Sequence, residues 1–514
     1  MRVIESIDEK VLEKTVQRCR ERNIVIPTFA QQMDPSTVPS KMKERLGEVG
    51  LWDVDPANLF RITWKNEPVA HGGGFNDGNW LEFPPELTGV DARIIGLVGK
   101  FFPTGSHKVG AGFGCLVPRL VSGHFDPTAQ KAVWPSTGNY CRGGAFDCAL
   151  LACTAVAILP EEMSRERFEW LRSIGAEVIA TPGCESNVKE VYDKCWEIRR
   201  TRPDCVIFNQ FDEFGNAIWH YHLTGAIIEE LLQSLVGEPN PERGPGAPRA
   251  TGGLSTQGAT GGWSTSAPRL AAYVAATGSA GTIAAGDFLR TRYPLLKVIA
   301  TEALQCPTLL MCGFGGHRIE GIGDKHVPWI HNVRNTDMVV AVDDEQTMQL
   351  LRLFNEEAGH EFLGRLGVAA EVIEQLPLLG ISSICNLVAA IQTAKYYELG
   401  PRDVIVTPLT DSMELYQSRI AEQREQYGPY TDALAGQHFA RYLEGIGIDH
   451  MRELGYWDRK TLHNFKYFTW VEQQQRDVEE LRELWEPEFW EQTWGQVAEW
   501  DRYIEEFNRR VGLL

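Results

Sequence analysis

The sequence predicts an α/β protein built on parallel sheets, and two observations carry that prediction. Short β-branched apolar runs recur through the middle of the chain, and a helical pattern follows most of them. Continuous apolar strands suit sheets covered on both faces, and strand–helix alternation makes those sheets parallel.

Strands are expected, in order, at 154–159 (TAVAIL), 177–181 (EVIAT), 205–209 (CVIFN), 271–276 (AAYVAA), 297–301 (KVIAT), 338–342 (MVVAV) and 403–407 (DVIVT). Helical stretches such as 164–174 lie between them, that one ending at Gly175 as helices commonly do. Two segments break the rhythm. Residues 234–268 hold eight Gly, five Pro and eight Ser or Thr, too little apolar side chain to offset the entropy of ordering, so an exposed insertion is expected. From about 411 the alternation stops. Residues 411–514 hold six of the fifteen Trp and 21 acids against 12 bases. Trp490, Trp494, Val497, Trp500, Ile504, Phe507 and Val511 fall at helical spacing behind Pro487, which predicts a helix packing on the body or on a second subunit, with a tryptophan ligand box as the alternative.

The 514 residues suit two to four domains at roughly 150 each. The net charge of −19 argues against a nucleic-acid surface or a basic membrane patch. No run of 18 apolar residues is present, and the opening MRVIESIDEKVLEK is charged too early for a secretory signal, so a cytoplasmic protein is expected. Eleven cysteines without any C-x-x-C pair are expected to be reduced and structural. His220-x-His222 lacks further ligands at zinc-like spacing, and no metal is expected.

Three loops carry chemistry. In 102–114 (FPTGSHKVGAGFG), Lys108 follows a Gly-Ser turn and leads into small residues, the setting a Schiff-base amine needs: desolvated, with room for a flat ring. A merely solvated loop lysine is the alternative. The run Gly110–Gly114 mimics a dinucleotide fingerprint but lacks the full G-x-G-x-x-G and a leading strand. In 136–145 (STGNYCRGGA), Ser136, Thr137 and Asn139 open a helix with donors suited to a carboxylate or a ring oxygen; an ordinary N-cap is the alternative. In 275–285 (AATGSAGTIAA), Gly278, Ser279, Ala280, Gly281 and Thr282 form a small-residue turn at a strand–helix junction, where a phosphate or a plain tight turn would fit.

The three loops in this order resemble those of the fold-type II pyridoxal-phosphate enzymes, specifically the cysteine synthase and cystathionine β-synthase group. Residues 159–183, Asn209–Asp212 with Asn216, residues 316–323 (GHRIEGIG) and residues 379–383 (LGISS) extend the resemblance over roughly 95–410. It implies two parallel-sheet α/β domains with N-terminal and C-terminal helical extensions. These are a large cofactor-binding domain (61–130 plus 270–410) and a smaller mobile domain (131–233), with 1–60, the 234–269 insertion and 411–514 outside them.

It also implies roles. Lys108 would be the Schiff-base lysine and proton shuttle. Asn139 would bond the ring hydroxyl, Gly278–Thr282 the 5′-phosphate, and Ser382 the pyridine nitrogen, with Ser383 as fallback. Ser136, Thr137, Asn139 and Gln210 would face the amino-acid carboxylate. A neutral serine at the ring nitrogen suits β-elimination over transamination. The implied reaction is β-elimination or β-replacement on an amino acid through an aminoacrylate, by a homodimer. The alternative is a cofactor-binding subunit of a multi-subunit enzyme, such as a carbon–carbon lyase. The sequence departs from the family at Tyr140-Cys141, Ser279-Ala280 and Ile384-Cys385. Tyr140 is expected to fill part of the pocket. Arg142 is read as a solvated helix-start residue or as the partner of a second acidic group on the substrate.

Overall fold

The computed structural model describes residues 4, 6–136, 138–163, 165–183, 188–236 and 268–513. Most of the 234–268 insertion lies outside them. The strands are β1 Trp80–Phe83, β2 Arg93–Val98, β3 Lys131–Pro135, β4 Thr154–Pro160, β5 Glu177–Thr181, β6 Cys205–Ile207, β7 Arg269–Ala276, β8 Lys297–Ala303, β9 Met338–Val342, β10 Asp403–Leu409 and β11 Met451–Glu453. Seven form one sheet in the order β1-β2-β10-β7-β8-β9-β11, and four form another in the order β5-β4-β3-β6. All seven expected strands form, β6 stopping at Ile207.

Every pairing in the smaller sheet is parallel, as are the interior pairings of the larger one. Its two edges are antiparallel: β1 on β2 and β11 on β9. Neither edge was expected. β11 lies in the stretch read as purely helical, and three residues give too short a pattern to register in sequence.

The continuous apolar runs are explained by burial on both faces. Along β10, Val404 and Val406 enter one core and Ile405 and Leu409 the other. On β8, Val298 and Ala300 face the first and Ile299 and Ala303 the second. Successive strand residues point to opposite faces, so a sheet covered twice needs apolar side chains at every position.

The Gly110–Gly114 run lies inside the helix Lys108–Val121 and serves packing. A Cβ on Gly110 would stand 2.2 Å from the Trp219 ring, and one on Gly114 would stand 2.3 Å from Gly215 O. Only glycine lets these helices approach so closely. The C-terminal tryptophans also pack: Trp494 stacks on Tyr221 at 4.5 Å, and Trp500 meets Phe29 at 5.6 Å. The last helix, Val497–Val511, is tied to the N-terminal segment through Asn508, which donates to Ile26 O (2.7 Å) and accepts from Ile26 N (3.1 Å).

Candidate active site

The turn before Lys108 passes through left-handed backbone at Thr104 (φ 68°) and Gly105 (φ 71°). It delivers the lysine to the first position of its helix, where Ser106 Oγ accepts from Lys108 N at 3.3 Å. The side chain is buried, and Nζ donates to Ser279 Oγ at 3.1 Å. Burial pulls the amine down to a pKa of about 8, while the Asp324 carboxylate favours the ammonium. Burial pushes Asp324 up to about 7, with Lys108 acting in the opposite direction. Each group's charge thus favours the charged form of the other. Asp324 was missed in the sequence; it follows the Glu320–Gly323 stretch with no residue pattern of its own. Trp64, just beyond the short turn Pro56–Arg61, packs against Phe102 (5.0 Å) and His107 (5.4 Å), so the N-terminal segment walls the lysine turn.

The second loop leaves β7 and enters the helix Ala284–Arg292. No acceptor among the described residues takes the backbone N–H of Gly278, Ser279, Ala280 or Thr282. Ala280 adopts a left-handed φ of 62°, which folds the loop into a concave nest. A nest of free N–H groups at a helix start is an anion site. A Cβ at Gly278 would lie 2.7 Å from Gly321 O, and one at Gly281 would lie 2.0 Å from Asn216 Oδ1, so the crowded backbone leaves no room for side chains there. Asn216 Nδ2 donates to Ser279 Oγ and to Gln210 O, both at 3.0 Å.

That asparagine joins the second loop to the Gln210 segment. Gln210 Nε2 donates to Ser136 Oγ at 3.1 Å, so two of the expected carboxylate ligands meet. Thr137 lies outside the described residues. Asn139 opens the helix Asn139–Leu150; its Nδ2 donates to Asp411 Oδ2 at 2.5 Å, and its Oδ1 is buried without a partner. Tyr416 OH donates to the same Asp411 oxygen at 2.6 Å. Ser382 and Ser383 begin the helix Ile381–Tyr396. Ser383 Oγ is enclosed without a partner. Tyr140 is 1% exposed and packs edge-on against Trp134 at 5.4 Å. Arg142 is also not solvated; it is 4% exposed.

A lysine amine, an anion nest and orphaned amide and hydroxyl groups fit a flat aldehyde cofactor bearing a phosphate. Fold and site together define a two-sheet α/β enzyme of the lysine-anchored cofactor class. The chain belongs to the pyridoxal-phosphate dependent enzyme family, whose model matches residues 100–411, and pyridoxal phosphate is its cofactor. It is 29% identical to a cysteine synthase of Staphylococcus aureus over 291 residues, 56% of this chain and 75% of that protein. It is 27% identical to a probable cysteine synthase of Bacillus subtilis over 64% of this chain and 89% of that protein. Among solved structures, O-acetylserine sulfhydrylase isoform 3 of Entamoeba histolytica shares the fold, with a TM-score of 0.53, 19% identity, 71% of this chain and 93% of that one covered.

Proposed function

We propose that the enzyme removes a β-substituent from an amino acid and either replaces it, with sulfide or another thiol, or releases the product by hydrolysis. The observation that carries this reading is the convergence of the Lys108 amine and the anion nest at Ser279 Oγ, with Gln210 and Ser136 beside them. The similarity to cysteine synthases supports a chain that turns over alone rather than the subunit of a multi-subunit enzyme.

In this reading the N–H groups of Gly278–Thr282 would hold the phosphate, Asn139 would meet the ring hydroxyl, and Ser382, or Ser383 with its unpartnered Oγ, would meet the ring nitrogen. Pyridoxal phosphate, when bound, supplies an electron sink for the carbanion at the substrate α-carbon. Lys108 anchors the cofactor and then, as the free amine, takes the α-proton. Gln210, Ser136 and Thr137 orient the carboxylate so that the α C–H bond faces that amine. The small sheet and its helices close over the substrate, and the enzyme works as a cytoplasmic homodimer. Purified holoenzyme given O-acetylserine and sulfide should form cysteine, and cysteine alone should release sulfide. A holoenzyme that does neither would overturn the reading.

A further inference from the structure

The guanidinium of Arg142 is buried with no acid in hydrogen-bond or ion-pair contact among the described residues. It lies over the Trp170 ring at 4.7 Å and the Trp52 ring at 5.5 Å. Among the described residues it makes no hydrogen bond or ion pair, and its Nε is enclosed without a partner. Asp411 favours its charge from a distance but makes no hydrogen bond or ion pair with it. Arg167, also buried, repels it and has its own partner in Glu320 at 2.9 Å. Asp411 has its Oδ2 occupied by Asn139 and Tyr416. A buried cation left without a hydrogen-bonded partner is costly, and an anionic ligand would offset that cost.

The position of Arg142 says which ligand. Its backbone N donates to Gly138 O at 3.2 Å, so it stands one helical turn beyond the Ser136–Asn139 loop. A Cβ on Gly105 would stand 3.1 Å from the Trp52 ring, so Trp52 also abuts the turn that delivers Lys108. Arg142 therefore stands beside both the lysine turn and the loop proposed to take the α-carboxylate. Aromatic rings lie over the guanidinium, so the partner that would complete it is an oxyanion at its edge, in a bidentate contact.

We propose that Arg142 receives a second anionic group on the substrate, so that the enzyme prefers β-substituted amino acids with a phosphate or carboxylate in the β-substituent. This rests on the β-elimination reading above. Two unreactive probes test it on reconstituted holoenzyme: 2-amino-3-phosphonopropionate and alanine, each titrated against the cofactor's visible spectrum. The phosphonate should bind wild type at least about 10-fold more tightly than alanine, as a charge-assisted pair implies. Arg142→Met should erase that ratio, and Arg142→Lys should keep part of it. Wild type without the preference, or Arg142→Met retaining it, would overturn the assignment. Should Arg142→Met not fold, the wild-type ratio and its retention in Arg142→Lys decide the matter. Turnover of O-acetylserine by the wild type is measured separately, so failure of the anion subsite is distinguishable from failure of the reaction assignment.

Discussion

Lys108 Nζ and Ser279 Oγ stand 3.1 Å apart across 171 residues of sequence, placing the reactive amine at the lip of the anion nest. The same hydroxyl accepts from Asn216, so lysine turn, nest and Gln210 segment share one junction. Three loops far apart in the chain thereby act as one site.

The proton balance at this junction has a measurable sign. Only the neutral amine attacks an aldehyde, so cofactor uptake by the apo-protein should quicken with rising pH and level off above about 8, the value to which burial lowers Lys108. The Asp324 charge favours the ammonium and thus raises that value. Asp324→Asn should therefore move the midpoint to lower pH. Stopped-flow absorbance during pyridoxal phosphate uptake gives both midpoints; an unmoved or higher midpoint in the variant would show that the carboxylate does not act on the amine.

Gly281→Ala tests the nest. The added Cβ would meet Asn216 Oδ1 at 2.0 Å, forcing aside the side chain that bridges Ser279 and Gln210. Losing one such bond and distorting the donors around a dianion should weaken cofactor binding by about 10-fold or more. Fluorescence titration with pyridoxal phosphate reads the effect, and wild-type affinity would place the phosphate elsewhere.

Gln210→Ala separates substrate from cofactor. Removing a hydrogen bond to a carboxylate costs about 1.5–3 kcal/mol, or about 10- to 150-fold in kcat/KM. The visible spectrum of the resting holoenzyme should not change, because the Gln210 side chain bonds Ser136, and its link to the nest through Asn216 uses the backbone carbonyl, which the variant keeps. Kinetics with O-acetylserine over a range of concentrations, beside the resting spectrum, would show either result.

Trp500→Ala should destabilise the protein by about 3–5 kcal/mol. The side chain is 1% exposed and packed on Phe29, so truncation leaves a large cavity at the seam between the first and last segments. Denaturant melts of variant and wild type provide the comparison; a difference below about 1 kcal/mol would mean that the seam collapses to fill it.

The three loops and the seven strands were readable because each is local. Gly278–Thr282 and the Ser136–Asn139 turn announce themselves by small residues at a helix start, and β10 by four apolar or β-branched positions in a row. What escaped was pairwise and distant. Nothing near Asp324 in sequence places it against Lys108, 216 positions earlier. Asp411 meets Asn139 across 272 residues. Arg142 looked solvated because charged helix-start residues usually are, and its burial depends on Trp52 and Trp170, which helical periodicity does not bring together. Edge strands β1 and β11 are short, and their pairing is set by the sheet they join.

The Ile26–Asn508 pairing spans 482 residues, and this has a consequence for the order of folding. A segment made early finds its partner only after nearly the whole intervening chain has been synthesised, so Ile24, Ile26 and Phe29, all buried in the finished protein, remain open to water or to a chaperone in the meantime. Contacts of such long separation form slowly because loop closure precedes the gain from packing. The seam around Trp500 is thus expected to be the last part to settle on refolding, with the two sheets already assembled beneath it.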